Sequence, residues 1–500
     1  MRESNSKRRV VAGMSNALAM ALILGLGATT VQAQQTAAVQ EGAVAGAANP
    51  FFDKARFGYQ QRTAYFDRDQ QVSRPRAMGF GGWLYGQTGE IADVLSFGGT
   101  YNFTLPLYSP DNLPPSTEAN QYNYILRDPD QSTNSVIGEA YAKVRFGDHA
   151  AVFGRQTIRQ AWYLPDVVRF YNKLDQSMIG PRDVRGMQNI HYEAATYQGR
   201  FMNDTVRAYA GYVWNARQIN ANDFENVYAA AYQTTCGKLS NRNPQTPCAT
   251  NVTKVDGSMG GELDSSGAAY VGVQFKPNNN MMVEGSYYNF NNMMNNVYVD
   301  LDYVFRLADK DYVRVGTQYM YQSGSGDNIL SAGQDFSTNY VGLYGELRLT
   351  PHIVPYAMVG WTGTGQQIRS PYSIGPSYLV QRVGENSLAG ENTWIAGAIF
   401  DFGVFGAKGL SFDINYGQRT DRQVDPYQKN AQGVYGGPTN DWNELATDLV
   451  YFLPDVAKYM KNFRARVRWA KVEQPGAAAG GGDLMTYDRR FDVHFLMPFK

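Results

Sequence analysis

From Arg56 onward the chain repeats one unit: about ten residues of alternating apolar and polar side chains, a connection, then about ten more. Alternation with period two sends successive side chains to opposite faces of an extended strand and leaves one face apolar. Eighteen segments fit, at 56–68, 78–88, 93–104, 135–146, 149–156, 187–196, 204–214, 267–276, 281–290, 295–305, 311–322, 338–349, 353–364, 392–402, 409–420, 442–453, 460–472 and 487–499. The connections alternate too. Those after even-numbered segments are short, as at Gly147 and Asp148, Pro277 to Asn280 and Thr350 to His352, while most of the others are long, including 157–186, 215–266 and 365–391. Short turns at one end and long loops at the other are expected of a transmembrane antiparallel β-barrel, all-β, of about eighteen strands. A soluble sandwich has no reason to gather its long loops at one end, and an even strand count brings both termini to the short-turn side.

The last segment shows the two faces. Phe491, Val493, Phe495, Met497 and Phe499 share one parity and are expected to face lipid; Arg490, Asp492 and His494 share the other and are expected to face the lumen. A charge on the lipid face at mid-bilayer costs roughly 2–4 kcal/mol, which fixes the register. Tyr65, Trp83, Trp214, Trp361 and Trp469 lie near segment ends, where interfacial girdles are expected.

The N-terminus sets the compartment. Arg2, Lys7, Arg8 and Arg9 precede the apolar run Ala17 to Ala28, and Val31 and Ala33 supply small residues at −3 and −1, so residues 1–33 are expected to be a secretory signal peptide cleaved before Gln34. Residues 34–55 then form a periplasmic lead-in and 56–500 the barrel. No later segment approaches the roughly 20 apolar residues of a membrane-spanning helix. A mean hydropathy of −0.41 in a chain 43% hydrophobic suits a lipid-facing wall around a polar lumen. The formal net charge of zero argues against nucleic acid as a partner. Cys236 and Cys248 lie together in a polar stretch of a long connection, and in an oxidising compartment they are expected to form a disulfide across it.

Eighteen strands enclose a lumen wide enough to hold water, so selectivity needs something folded inward. The segment 157–186 carries Arg159, Arg169, Lys173, Arg182 and Arg185 against Asp166, Asp175 and Asp183, with Trp162, Tyr163, Leu164 and Phe170 to anchor it on a wall. It is expected to be an inward-folded constriction loop, and basic side chains in a narrow aqueous pore favour anions. A loop capping the mouth, with its charges solvated, is the plainer alternative. The second candidate is Arg464, Arg466 and Arg468, whose spacing of two puts them on one face of a strand, with Ala465, Val467 and Trp469 on the other. The lipid cost turns the arginines inward, where a planar, always-ionised guanidinium suits bidentate carboxylate contact. Arg56, Arg62 and Arg68 share a parity on the first segment, which abuts the last on closure; Arg490, Arg207 and Arg314 are further inner-wall candidates. Glu444 and Asp448 on the preceding segment share the inward parity and are placed to pair with the arginines, so a self-neutralised wall stands beside the ladder as a reading.

FGYQQRTAYFDRD (57–69), GFGGWLYGQTGEIADVLSFGGTY (79–101), NSVIGEAYAKVRFGDHAAVFGRQ (134–156), DVVRFYNKLDQSMIGPRDVRGMQ (166–188), FDFGVFGAKGLSFDINYGQRTDR (400–422) and NFRARVRWA (462–470) resemble, in that order and spacing, the OprD family of outer-membrane porins. The resemblance implies an 18-stranded barrel with an inward-folded third extracellular loop. It also implies selective passive uptake of small, carboxylate-bearing solutes along a basic ladder, matched here by Arg62, Arg466 and Arg468, with Arg169 in the loop. Asn415 and Gln71 stand where the family's fuller ladders are basic. Small hydrophilic solutes, outer-membrane lipid and the barrel-assembly machinery are the implied partners, and a monomer or loose trimer the implied state. Neither a cofactor nor a metal cluster is suggested. A general diffusion porin, and an adhesin acting through the long loops, are the rival functions. An enzyme would need a nucleophile and base, and His149, His191, His352 and His494 show no obvious Ser/His partnership in the sequence.

Overall fold

The computed structural model describes residues 50–69, 74, 76–108, 133–158, 190–217, 221–227, 267–307, 311–328, 335–348, 350, 352–369, 377, 379–384, 387–429, 435–477 and 482–499. After a single helical turn at Pro50–Asp53, eighteen strands form the wall: β1 Arg56–Asp69, β2 Arg76–Gln87, β3 Leu95–Tyr108, β4 Asn134–Phe146, β5 His149–Gln156, β6 His191–Phe201, β7 Val206–Arg217, β8 Ala268–Asn278, β9 Met281–Phe290, β10 Met294–Arg306, β11 Tyr312–Gly324, β12 Ser337–Arg348, β13 Ile353–Thr362, β14 Asn392–Asp401, β15 Leu410–Thr420, β16 Trp442–Ala457, β17 Met460–Gln474 and β18 Leu484–Pro498. Each pairs antiparallel with its sequence neighbours, and β18 returns to β1 from Gly58↔Pro498 to Asp69↔Tyr487, so the sheet closes and leaves no edge. A two-residue strand, Glu225–Asn226, adds to the top of β7, and a separate hairpin pairs Gln423–Lys429 with Tyr435–Pro438.

The expected alternation is the observed one. Val271, Val273, Val297, Val299, Leu343 and Phe491 are exposed on the outside, while Gln274, Asn296, Asp300, Gln318 and Asp492 are buried on the inside. A closed sheet that is apolar outside and polar inside is a membrane-spanning barrel, because every backbone donor and acceptor is satisfied within the wall. Connections after even-numbered strands are turns of eight residues or fewer; those after β3, β4's partner β5, β7, β13 and β15 are long. The short turns mark the periplasmic end and the long loops the extracellular end.

Several boundaries and one orientation differ from expectation, the sixth strand's most of all. The sixth strand was expected at 187–196 and runs from His191 to Phe201, ending in a turn in which Met202, Asn203 and Asp204 all have positive φ. A left-handed turn built without glycine carries no strong sequence mark. Trp83, expected in a lipid-side girdle, pairs with Gln60 in the register that sets Gly81 beside Arg62, so it shares the inner face. Its parity was obscured because Gly79, Gly81 and Gly82 carry no side chain to reveal a face. Gly82 itself has φ +131°, with the carbonyl of Gln60 where a Cβ would stand. Gly82→Val is therefore expected to destabilise the β1–β2 hairpin by about 1–3 kcal/mol, read as a lower denaturant midpoint for the folded barrel.

Candidate functional site

The inward-facing side chains divide the lumen into two unlike walls. From β6 to β14, Tyr192, Tyr209, Tyr270, Tyr288, Phe290, Met294, Tyr298, Met320, Tyr340, Tyr344, Tyr356 and Ile395 are buried in one cluster with Ile368 and Leu379 from the loop between β13 and β14. The described residues of that loop, 363–369, 377, 379–384 and 387–391, include several held against inward-facing side chains. Ser377 Oγ donates to Tyr340 Oη (2.9 Å), and Gln322 exchanges hydrogen bonds with the backbone of Arg369 (2.8 and 2.9 Å). The described part of this loop thus packs on an aromatic-rich stretch of the inner wall.

The opposite wall, β15–β18 with β1, is charged. Arg464, Arg466 and Arg468 are all buried on the inner face of β17 while Val467 is exposed outside, as the spacing of two implied. The register then stacks them in rows. Arg464 stands opposite His494, which faces Arg62; Arg466 stands opposite Asp492; Arg468 stands opposite Arg490, which faces Phe66. Arg466 is gripped by Asp448, with Nε and Nη2 donating at 2.9 and 2.7 Å. Asp492 lies between Arg464 (3.4 Å) and Arg468 (3.3 Å). Asp488 accepts from Arg68 (2.8 Å) and Arg490 (2.6 Å), whose guanidinium groups both lie over the ring of Phe66. The Arg68–Asp488 contact spans the closure seam.

The inward loop adds one more cation. Arg382 donates to Asp448 at 2.8 Å and lies 3.4 Å from Asp413, and its carbonyl accepts from Arg490 (3.3 Å). The loop is further held by Glu444, which accepts from the backbone of Val383 (2.9 Å) and Gly384 (2.7 Å), and by Gln381, which donates to Asn415 (2.9 Å). Around this wall and the loop against it, nine arginines (62, 68, 382, 419, 422, 464, 466, 468, 490) meet four aspartates (413, 448, 488, 492) and two glutamates (391, 444) among the described residues. The formal excess is three positive charges. Both sequence readings are therefore partly present: many of the charges are paired, and the sum stays cationic. Next to Arg62 the inner face of β2 is nearly bare, with Ala77, Gly79 and Gly81 on it.

The sequence placed Arg62, Arg464, Arg466, Arg468 and Arg490 on the inner wall, and they stand there together. Arg314, also an inner-wall candidate, sits apart on β11, paired with Asp302 (2.6 Å). Arg169, Arg182, Arg185 and nearly all of loop 157–186 lie outside the described residues, as do Cys236 and Cys248. Loop 363–391 was read only as a long connection; its signal was GQQIRS and SYLVQRV, apolar side chains and arginines in a stretch otherwise rich in Gly, Ser and Pro. His191 has contacts the sequence did not suggest, with Asn102 Nδ2 2.5 Å from Nε2 and Thr157 Oγ1 3.2 Å from Nδ1. These tie the root of loop 157–186 to β3 and β6.

No family model and no curated protein matches the sequence. Solved structures do. OpdK of Pseudomonas aeruginosa, crystallised with vanillate, is 14% identical with a TM-score of 0.65, covering 90% of this chain and 100% of its own. OccK9 (OpdG) of the same organism is 14% identical with a TM-score of 0.66 over the same shares, and OpdQ 15% identical with 0.65 over 91% and 100%. This chain has the fold of those outer-membrane channels. An outer-membrane barrel agrees with the apolar exterior and the loop asymmetry, and it puts the β13–β14 connection on the extracellular side, with described residues of it contacting both walls.

Proposed function

We propose that the protein is a passive outer-membrane channel for small hydrophilic solutes, with a preference for carboxylates. The observation that carries this reading is the cationic wall: nine arginines against six acids on one side of the lumen, facing an aromatic-rich wall on the other. A narrow aqueous path lined by excess guanidinium concentrates anions and offers planar, bidentate docking to carboxylates. Rows spaced along β17 and β18 let a carboxylate pass from one cation to the next, so no single site needs to hold it tightly. The vanillate with which OpdK was crystallised is itself a carboxylate, in accord with this preference. Arg62, Arg464, Arg466, Arg468 and Arg490 are the wall residues on the path, and Arg382 overhangs it from the loop.

The test is single-channel recording in planar bilayers under a salt gradient. Arg62 and Arg464 share a row whose opposing residue is His494 rather than an acid. Arg62→Gln with Arg464→Gln is expected to move the reversal potential toward that of an unselective pore and to weaken block by added benzoate by several-fold. Channels with the same reversal potential in wild type and variant would leave a general diffusion porin. Absence of conductance would overturn the channel reading altogether.

A further inference from the structure

The outer surface of the barrel carries a feature that the channel does not use. At the extracellular end of the β17–β18–β1–β2 wall, on the lipid-facing side, one row of the sheet reads Trp469, Arg489, Asp67, Arg76 in direct register. Arg74, just before β2, closes on Asp67 with Nε and Nη2 at 2.9 and 2.8 Å, and Arg489 reaches the same carboxylate at 3.3 Å. Asp67 is buried beneath them, while the Arg74 and Arg489 side chains are 47% and 42% exposed. One acid thus holds two arginines and leaves their outer edges turned to the surroundings, with Arg76 beside it in register and its guanidinium over the Tyr108 ring (5.8 Å). Lys471, Glu473 and Asp69 stand above on the same face, with Lys471 3.8 Å from Glu473. The row beneath is apolar throughout: Phe491, Tyr65, Met78 and Tyr108, again in register.

We infer that these two rows bind a phosphorylated lipid of the outer leaflet, headgroup on the arginines and acyl chains on the aromatic row below. The argument is one of position and charge. Arginines on the lipid face would be costly at mid-bilayer, but they sit at the extracellular interface, where an anionic headgroup and an aromatic belt meet. Arg74, Arg76, Arg489 and Lys471 against Asp67, Asp69 and Glu473 leave this face one formal positive charge in the plane of lipid phosphates, and the exposed guanidinium edges of Arg74 and Arg489 match phosphate bidentately. The row-on-row order, cations above and rings below, has the polarity of a lipid anchored in the outer leaflet. A soluble phosphate would make no use of the lower row.

The full chain, refolded in detergent, is titrated with diphosphoryl lipid A in native mass spectrometry, with heat-modifiable migration confirming the folded barrel. Arg74→Gln with Arg489→Gln is expected to weaken lipid A binding about ten-fold or more while leaving channel conductance unchanged, since neither side chain faces the lumen. Arg145→Gln, at an arginine of like exposure (41%) at the periplasmic end, is expected to bind as wild type. Inorganic phosphate is expected not to displace the lipid. Equal binding of dephosphorylated lipid A, or unchanged binding in the double variant, would overturn the headgroup assignment. Displacement by inorganic phosphate alone would overturn the lipid as the ligand.

Discussion

Asp448→Ala is expected to open the channel. Asp448 is the acid on which the inward loop and the arginine wall converge: it takes both Nε and Nη2 of Arg466 and, at 2.8 Å, Nη2 of Arg382. All three side chains are almost wholly buried. Removing one partner of such a contact leaves charge without compensation, at a cost of about 3–5 kcal/mol in a dry setting and less where water enters. Water enters here most cheaply if loop 363–391 lifts, because that hydrates Arg382 and Arg466 together. The backbone bonds from Val383 and Gly384 to Glu444, and the apolar seat of Ile368 and Leu379, oppose the lifting. The wild type is thus expected to conduct less than an unplugged barrel of this strand number, and the variant severalfold more, with noisier openings and a stronger anion preference from the lost carboxylate. Single-channel recording reads all three. A variant with wild-type conductance would show that the loop is held by its apolar seat and Glu444 alone, and that Asp448 only neutralises Arg466.

The parity of the arginines was legible in the sequence because the physics admits one answer. A strand crossing a bilayer has one face in hydrocarbon, so Arg464, Arg466 and Arg468, and Asp492 against Phe491, had to turn inward. The strand count and the asymmetry of the connections followed from the same alternation. Pair partners were legible only as candidates. Asp448 shares its inward parity with Glu444, yet it is Asp448 that takes Arg466, while Glu444 serves the loop backbone. That choice depends on register and on a loop from elsewhere in the chain, neither of which periodicity encodes. Trp83 shows the same limit from the other side, since glycines beside it erased the alternation. The inward contacts of the 363–391 loop were missed for a different reason. Its Arg369, Ser377, Gln381 and Arg382 find their partners on β11, β12, β15, β16 and β18, and the sequence alone does not show that this loop turns in rather than out.

Val467→Lys is expected to be the most damaging change on the outer wall. Val467 is 50% exposed between Arg466 and Arg468, and its register neighbours on that face are Leu449 and Phe491. An ammonium there has no acid on its own face within those neighbours and stands in the apolar band, below the row that carries Trp469 and Arg489. The expected cost is about 2–4 kcal/mol, less if the lysine stem carries the charge up to that row. The measurement is the urea midpoint of the barrel refolded in phosphatidylcholine vesicles, followed by tryptophan emission. Leu453→Lys, nearer the periplasmic end of β16, is expected to lose about half as much or less, because the same charge is closer to the interface. A midpoint for Val467→Lys equal to the wild type would mean that this face does not meet hydrocarbon, and the inward assignment of Arg466 and Arg468 would fall with it. The two claims stand together because one residue step along β17 separates the lipid from the pore.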